Sequence, residues 1–357
     1  TTLHSENFEV AKELGFKINP HAQIVKTTSD IERLYKLWQK KREKLPYQVD
    51  GVVVKVNDLA ERKKLGYIGK AYRWEIAYKW QPEQVTTLVE NIVVQVGRTG
   101  ALTPVAILEP ANVAGSTISR ATLHNEDEVH KKDVRIGDTV IIQKAGDVIP
   151  EVVEVLKRMR SKNAKVFHMP TKCPICGSKV VRPKGEAIAR CSNLNCASVM
   201  RRRIIHFVSK KAFNIEGLGP RIVDQLIDEG LIKSAVDLFK LTVGDLEPLE
   251  RFAEKSSQNL FDSISNSKII TLPRFIYALG IRSAGEEMAD DLAKQFGTLE
   301  NFRKAQYEDI RRMDGVADKT AKEIYDWLGK KGHQNFIYDF LKVGIKVQNY
   351  HSPVSVD

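Results

Sequence analysis

The sequence predicts a multidomain α+β chain. A mixed N-terminal segment, a small β-barrel, a four-cysteine zinc ribbon and an array of helical hairpins follow one another. Three observations predict it: hydrophobic patterning shifts from mixed to strand-like and then to helical, all four cysteines fall in one short segment, and a helix–turn–helix unit recurs in the C-terminal part. The length of 357 residues is that of two to four domains. An apolar fraction of 42% and a charged fraction of 28% describe ordinary globular protein. No apolar run approaches the roughly eighteen residues of a membrane span, and no export leader is recognisable.

Residues 1–85 mix helix and strand. Leu34 to Lys44, rich in Lys and Leu with Trp38, reads as a helix, and Val49 to Val56 as a short apolar strand. An Asp50-Gly51 turn feeds this strand, which ends its apolar run at Lys55. In Arg73-Trp74-Glu75-Ile76-Ala77-Tyr78-Lys79-Trp80, strand alternation puts Tyr78 and Trp80 on one face and Ala77 and Lys79 on the other. Two strand-borne lysines aimed into one pocket would stabilise charge on a transferring phosphoryl group. A carboxylate such as Asp50 could hold a divalent cation beside them. Either motif alone fits surface lysines on unremarkable strands better.

Residues 86–157 are rich in Val, Ile and Thr and punctuated by Gly97, Gly100, Gly115, Gly137 and Gly146, the pattern of a small barrel of short strands. Residues 158–200 hold Cys173-Pro-Ile-Cys176 and Cys191-Ser-Asn-Leu-Asn-Cys196, with fourteen residues between the pairs. Two such knuckles present four thiolates tetrahedrally, the geometry of a closed structural Zn²⁺ site. Pro174 and Gly177 suit the tight turn of the first knuckle. The competing assignments are two disulfides or four unrelated buried thiols. Without a secretory signal metal is favoured over disulfides, and reduced cysteines fit a cytoplasmic location. No ligand is left over for an open catalytic position, so the metal is expected to be structural. From Lys157 to Lys211 there are fifteen Lys or Arg and one acid, Glu186, a net of +14 in a chain whose total is +11. Such a concentration favours nucleic acid as partner over a bland solvated surface or an anionic membrane.

In residues 201–350 the period becomes helical. Four turns, Gly217-Leu218-Gly219, Arg251-Phe252-Ala253, Ser283-Ala284-Gly285 and Gly315-Val316-Ala317, are spaced by roughly thirty residues, and each precedes a helix start. They resemble the helix-hairpin-helix motif, in which Gly217, Gly219, Gly285 and Gly315 would let backbone approach the phosphates of DNA without reading sequence. The second turn departs most, lacking both glycines. Residues 351–357 are a tail.

Asp50-Gly51-Val52-Val53-Val54-Lys55 resembles motif IV of the covalent nucleotidyltransferases, and Ala77-Tyr78-Lys79-Trp80 their motif V. Asp rather than Glu at position 50 is similar to the NAD⁺-dependent class. Val96-Gly97-Arg98-Thr99-Gly100 and Lys144-Ala145-Gly146-Asp147-Val148-Ile149-Pro150 resemble that class's OB domain. With the zinc module and hairpins following in order, nearly the whole chain resembles bacterial-type NAD⁺-dependent DNA ligases. The resemblance implies a partial nucleotidyltransferase core, an OB-fold, a Cys₄ ribbon acting as rigid spacer and a helix-hairpin-helix domain. It implies nick sealing in replication and repair, with Lys55 and Lys79 on the adenylate phosphate and Asp50 serving metal or orientation. Arg98, Thr99, Arg120, Asp147, Val148 and Ile149 would touch DNA around the nick. Implied cofactors are structural Zn²⁺ and catalytic Mg²⁺ or Mn²⁺, with NAD⁺ as the family's substrate. The implied partner is nicked duplex DNA, for a monomer with no membrane association.

The departures carry expectations too. The family's nucleophile lies in a Lys-x-Asp-Gly motif, which does not occur in these 357 residues. The family's N-terminal domain and the upstream carboxylate and arginine motifs are not recognised either. The expectation is a fragment that starts inside the adenylation domain, stops about where a BRCT domain would begin, and does not adenylate itself. An N-terminal part could be a separate polypeptide. The rivals are a non-catalytic DNA-binding module and a relative of the ATP-dependent ligases or RNA-capping enzymes, the latter disfavoured by the ribbon and four hairpins.

Overall fold

A computed structural model describes residues 1–351 apart from 48, 70, 146–148 and 194. The chain divides into two compact units, residues 1–88 with 108–121 and 139–160, and residues 89–107 with 122–138 and 161–357.

The first unit opens with α1 (His4–Glu13), α2 (Thr28–Lys41), β1 (Gly51–Lys55), α3 (Leu59–Leu65), a small hairpin of β2 (Tyr67–Ile68) and β3 (Ala71–Tyr72), and β4 (Glu75–Lys79). Helix α2 starts well before the predicted Leu34, because Thr27 and Asp30 form a reciprocal capping box. β1 and β4 pair antiparallel, from Gly51 opposite Lys79 to Lys55 opposite Glu75. The expected alternation of β4 holds: Tyr78 stacks on Tyr35 of α2 at 4.0 Å, and Trp80 Nε1 donates to the Tyr35 carbonyl at 3.3 Å. Neither α1 nor α2 buries a residue fully. Leu14, Phe16 and Ile24 remain exposed.

The strands that follow are β5 (Gln84–Val96), β6 (Leu102–Val113), β7 (Ser116–Thr122), β8 (Arg135–Ile136), β9 (Thr139–Ala145) and β10 (Ile149–Val155). Five of them close a barrel in the order β10-β7-β6-β5-β9. A helix, α4 (Glu126–Lys132), interrupts the predicted run of strands. Its signals are local: Asn125 caps it, acids fill its first turn and bases its last.

In the second unit, β11 (Lys165–Val166) pairs with β8, and β12 (Val180–Val181) with β13 (Arg190–Cys191) in the cysteine ribbon. Helices α5 (Ala197–Val208), α6 (Pro220–Asp228), α7 (Val243–Leu246) and α8 (Glu254–Asn266) follow. Then come β14 (Ile269–Thr271), α9 (Leu272–Ala278), α10 (Glu286–Phe296), α11 (Leu299–Arg303), α12 (Tyr307–Arg311), α13 (Asp318–Leu328), α14 (Lys331–Lys342) and β15 (Lys346–Gln348). One continuous core runs through α5 to α14, centred on Phe207, Phe213, Phe239, Phe275 and Phe340. The parallel pair β14–β15 ties the end of the array to its middle. No described helix is long and apolar enough to cross a membrane.

Candidate functional site

The strand pair β1–β4 brings the predicted Asp50, Lys55 and Lys79 together on one small sheet. Directly opposed residues of a ladder point the same way, so Gly51, Val53 and Lys55 share a face with Lys79, Ala77 and Glu75. This face is open, with Val53 and Ala77 exposed. The two lysines stand at opposite ends of it, about 14 Å apart along the strands. Lys79 Nζ lies 2.6 Å from Asp50 Oδ2, and Lys55 Nζ lies 2.8 Å from Glu75 Oε2. The hydrogen bond from Lys79 holds the Asp50 carboxyl below its ordinary range. Gly51 is sterically required here. A Cβ at that position would sit 2.6 Å from the Tyr78 carbonyl oxygen and 2.8 Å from Lys79 Cα.

The four cysteines converge as their spacing predicts. Their sulfur atoms all lie within 4.8 Å of one another, with Cys173 to Cys196 at 3.9 Å and Cys176 to Cys191 at 3.5 Å. A tetrahedron with Zn–S bonds of 2.3 Å has edges of about 3.8 Å, so the donor set fits zinc. Hydrogen bonds from the Ser178 side chain and backbone draw the Cys176 thiol down to about 6, while burial pushes Cys191 up to about 12. Zinc loading must displace the protons that burial retains. The ribbon shares a small apolar cluster with the β5–β6 hairpin, made of Val96, Leu102 and Val199 around the cysteines.

The four predicted turns share one backbone design. Their first residues, Gly217, Arg251, Ser283 and Gly315, all have positive φ, between 63° and 80°. Their second residues, Leu218, Phe252, Ala284 and Val316, pack into or against the core. Their third residues, Gly219, Ala253, Gly285 and Ala317, are the N-caps of α6, α8, α10 and α13. The second turn therefore departs in sequence but not in backbone. At Gly219 and Gly285 nothing lies within 4 Å of where a Cβ would be, and no side chain caps either helix. Their terminal N–H groups stay available to an anion.

The remaining predicted DNA contacts divide. Arg120 and Ile149 are exposed. Asp147 and Val148 lie outside the described residues. Arg98 and Thr99 turn inward. Arg98 Nη1 donates to the Gly280 carbonyl at 2.9 Å, and Thr99 Oγ1 accepts from Arg190 Nη1 at 2.8 Å. Gly100, at φ 77°, lets Cys191 N–H reach its carbonyl at 2.9 Å. The Gly97–Gly100 loop thus serves as a mount for the zinc ribbon and third hairpin. Arg190 and Arg282 complete this junction; local spacing does not signal them, because Thr99 lies 91 residues from Arg190 and Glu186 lies 96 from Arg282.

Among the described residues, the cysteines are the only cluster of three or more potential metal-ligand side chains. Asp50 and Glu75 are each occupied by a lysine, so the described residues alone do not build the divalent-metal site that the ligases imply.

Comparison with known proteins agrees with this geometry. Residues 1–83 match the NAD-dependent DNA ligase adenylation domain, 86–164 its OB-fold domain, 172–197 its C4 zinc finger domain and 274–337 a helix-hairpin-helix motif. Curated proteins named DNA ligase align along almost the whole chain. That of Halothermothrix orenii is 46% identical over 97% of this chain and 52% of its own length. That of Thermoanaerobacter sp. (strain X514) is 47% identical with the same coverages, and that of Halalkalibacterium halodurans is 42% identical over 98% and 52%. The chain spans about half the length of these relatives. With every matched domain in the order that the structure displays, and the zinc ligands in place, the chain belongs to the NAD-dependent DNA ligase family.

Proposed function

We propose that this chain acts on nicked duplex DNA in the sealing step of the ligase reaction, as a cytoplasmic monomer. The observation that carries this reading is the common, open face of β1–β4 bearing Lys55 and Lys79. In that step the 3′-hydroxyl oxygen bonds to the 5′-phosphorus, the pyrophosphate link to AMP breaks, and AMP leaves as the hydroxyl proton is lost. Lys55 and Lys79 offer positive charge where negative charge develops on the phosphoryl and adenylate oxygens. Their carboxylate partners orient both ammonium groups until the DNA phosphates replace them. Grip on the duplex comes from the hairpin turns, whose helix N-termini meet backbone phosphates, with Arg120 and Ile149 beside the nick.

Residues 1–357 hold no Lys-x-Asp-Gly, so the substrate that tests these residues by themselves is DNA adenylated beforehand. The test is nicked DNA carrying AMP on its 5′-phosphate. Sealing is expected with Mg²⁺ and is expected to be lost in Lys79→Ala. With unmodified nicked DNA and labelled NAD⁺, no labelled protein should survive denaturation. One second reading, a DNA-binding module without chemistry, is favoured by the two lysines standing at opposite ends of the ladder, each paired with a carboxylate. Binding of the adenylated nick without sealing selects it.

A further inference from the structure

Glu186 is the one acid in the basic run from Lys157 to Lys211. On a surface meant for a polyanion, an isolated carboxylate works against binding. The structure surrounds it instead with guanidinium groups. Arg282 grips it with two bonds, Nη1 to Oε1 at 3.0 Å and Nη2 to Oε2 at 2.8 Å, and Arg190 approaches Oε2 at 3.5 Å. Arg182 Nε donates to the Glu186 backbone carbonyl at 2.7 Å. On its other edge Arg282 Nε lies 3.4 Å from Glu323 Oε1 of α13, and Ser283 Oγ donates to Glu323 Oε2. Both carboxylates are well shielded, at 15% and 17% exposure, so water competes weakly for them.

The chain of contacts starts in the zinc ribbon, passes through Arg282 immediately before the third turn, and ends on the helix launched by the fourth turn. Ser283, the left-handed residue of the third turn, is tied by its hydroxyl to Glu323 at the far end of this chain. We propose that Glu186 is a positioning residue, through which the zinc ribbon sets the third and fourth hairpin turns in register for the DNA backbone. The bidentate fork fixes orientation as well as distance, which a lysine or a lone hydrogen bond would not do. This proposal rests on the DNA-binding reading and goes beyond it.

Glu186→Gln separates positioning from charge. Removing a negative charge by itself should tighten binding to a polyanion and leave the salt dependence as steep as before. Loss of positioning should do the opposite, weakening binding of labelled nicked duplex about tenfold at fixed salt, as two turns lose their hydrogen bonds to phosphate. In the free protein, amide exchange across residues 282–286 should accelerate, with one zinc per chain retained. Glu323→Gln breaks the other arm and should change binding and exchange in the same direction, should Glu186→Gln fail to hold zinc. Equal or tighter binding by a zinc-loaded Glu186→Gln protein overturns the proposal. If the unaltered chain binds no DNA, the DNA-binding reading falls. Exchange at 282–286 then still decides whether Glu186 orders the turn, and no change there rejects it.

Discussion

Replacing Gly51 by Ala tests whether the site depends on the close approach of β1 to β4. The added Cβ would stand 2.6 Å from the Tyr78 carbonyl oxygen, where ordinary contact begins at 3.4 Å. Both obstructing groups are backbone, so no side chain can swing aside. Restoring contact distance requires the strands to part by about 0.8 Å out of the usual spacing of about 4.8 Å. The bond from Trp80 N–H to the Asp50 carbonyl, now 3.0 Å, would stretch beyond hydrogen-bonding range. Overpacking of this kind costs about 1–3 kcal/mol, which corresponds to amide exchange faster by about five- to about 150-fold where opening is local. The assay is hydrogen exchange across residues 49–80, with Gly219→Ala as control, since nothing lies within 4 Å of that position. Unchanged protection of the Trp80 amide in Gly51→Ala would refute the steric argument, and with it the claim that Gly51 sets the Lys79–Asp50 geometry.

Other outcomes follow from the same geometry. Cys191→Ser should drop bound zinc from one per chain toward none and expose the cluster around Val96, Leu102 and Val199; metal analysis reads the first and amide exchange at Val96 and Leu102 the second. Gly217→Ala should lose about 1–2 kcal/mol in urea unfolding, because residue 217 sits at φ 80°. Gly219→Ala, at φ −79° in open space, should cost less than about 1 kcal/mol, and matching losses would contradict the assigned turn geometry. The hydrogen bonds from Arg282 hold the Glu186 carboxyl below its ordinary range. Its stabilisation is therefore fully present above the ordinary glutamate pKa and lost as pH falls through the depressed folded value. Melts taken at falling pH should show an acid-labile component that Glu186→Gln lacks.

The sequence by itself determined much of this protein because the decisive signals are local. Cysteine spacing specifies a tetrahedral donor set, since short knuckles leave thiolates few other arrangements. Strand alternation put Tyr78 and Trp80 on the face that meets Tyr35. Gly217 and Gly315 mark left-handed turn positions that glycine occupies without cost. Arg251 and Ser283 show the limit of that signal. They adopt the same backbone because the buried second residue and the following helix impose it, and no local preference announces it. Tertiary structure alone decided what joins these parts. The fork from Glu186 to Arg282 spans 96 residues and the bond from Arg98 to Gly280 spans 182. Such contacts are set by the packing of the barrel hairpin, the ribbon and the helices, and neither periodicity nor spacing encodes them. Folding likewise decided that the two lysines stand at opposite ends of one ladder, each held by its own carboxylate. The motifs supply the charges, but only strand register fixes the distance between them.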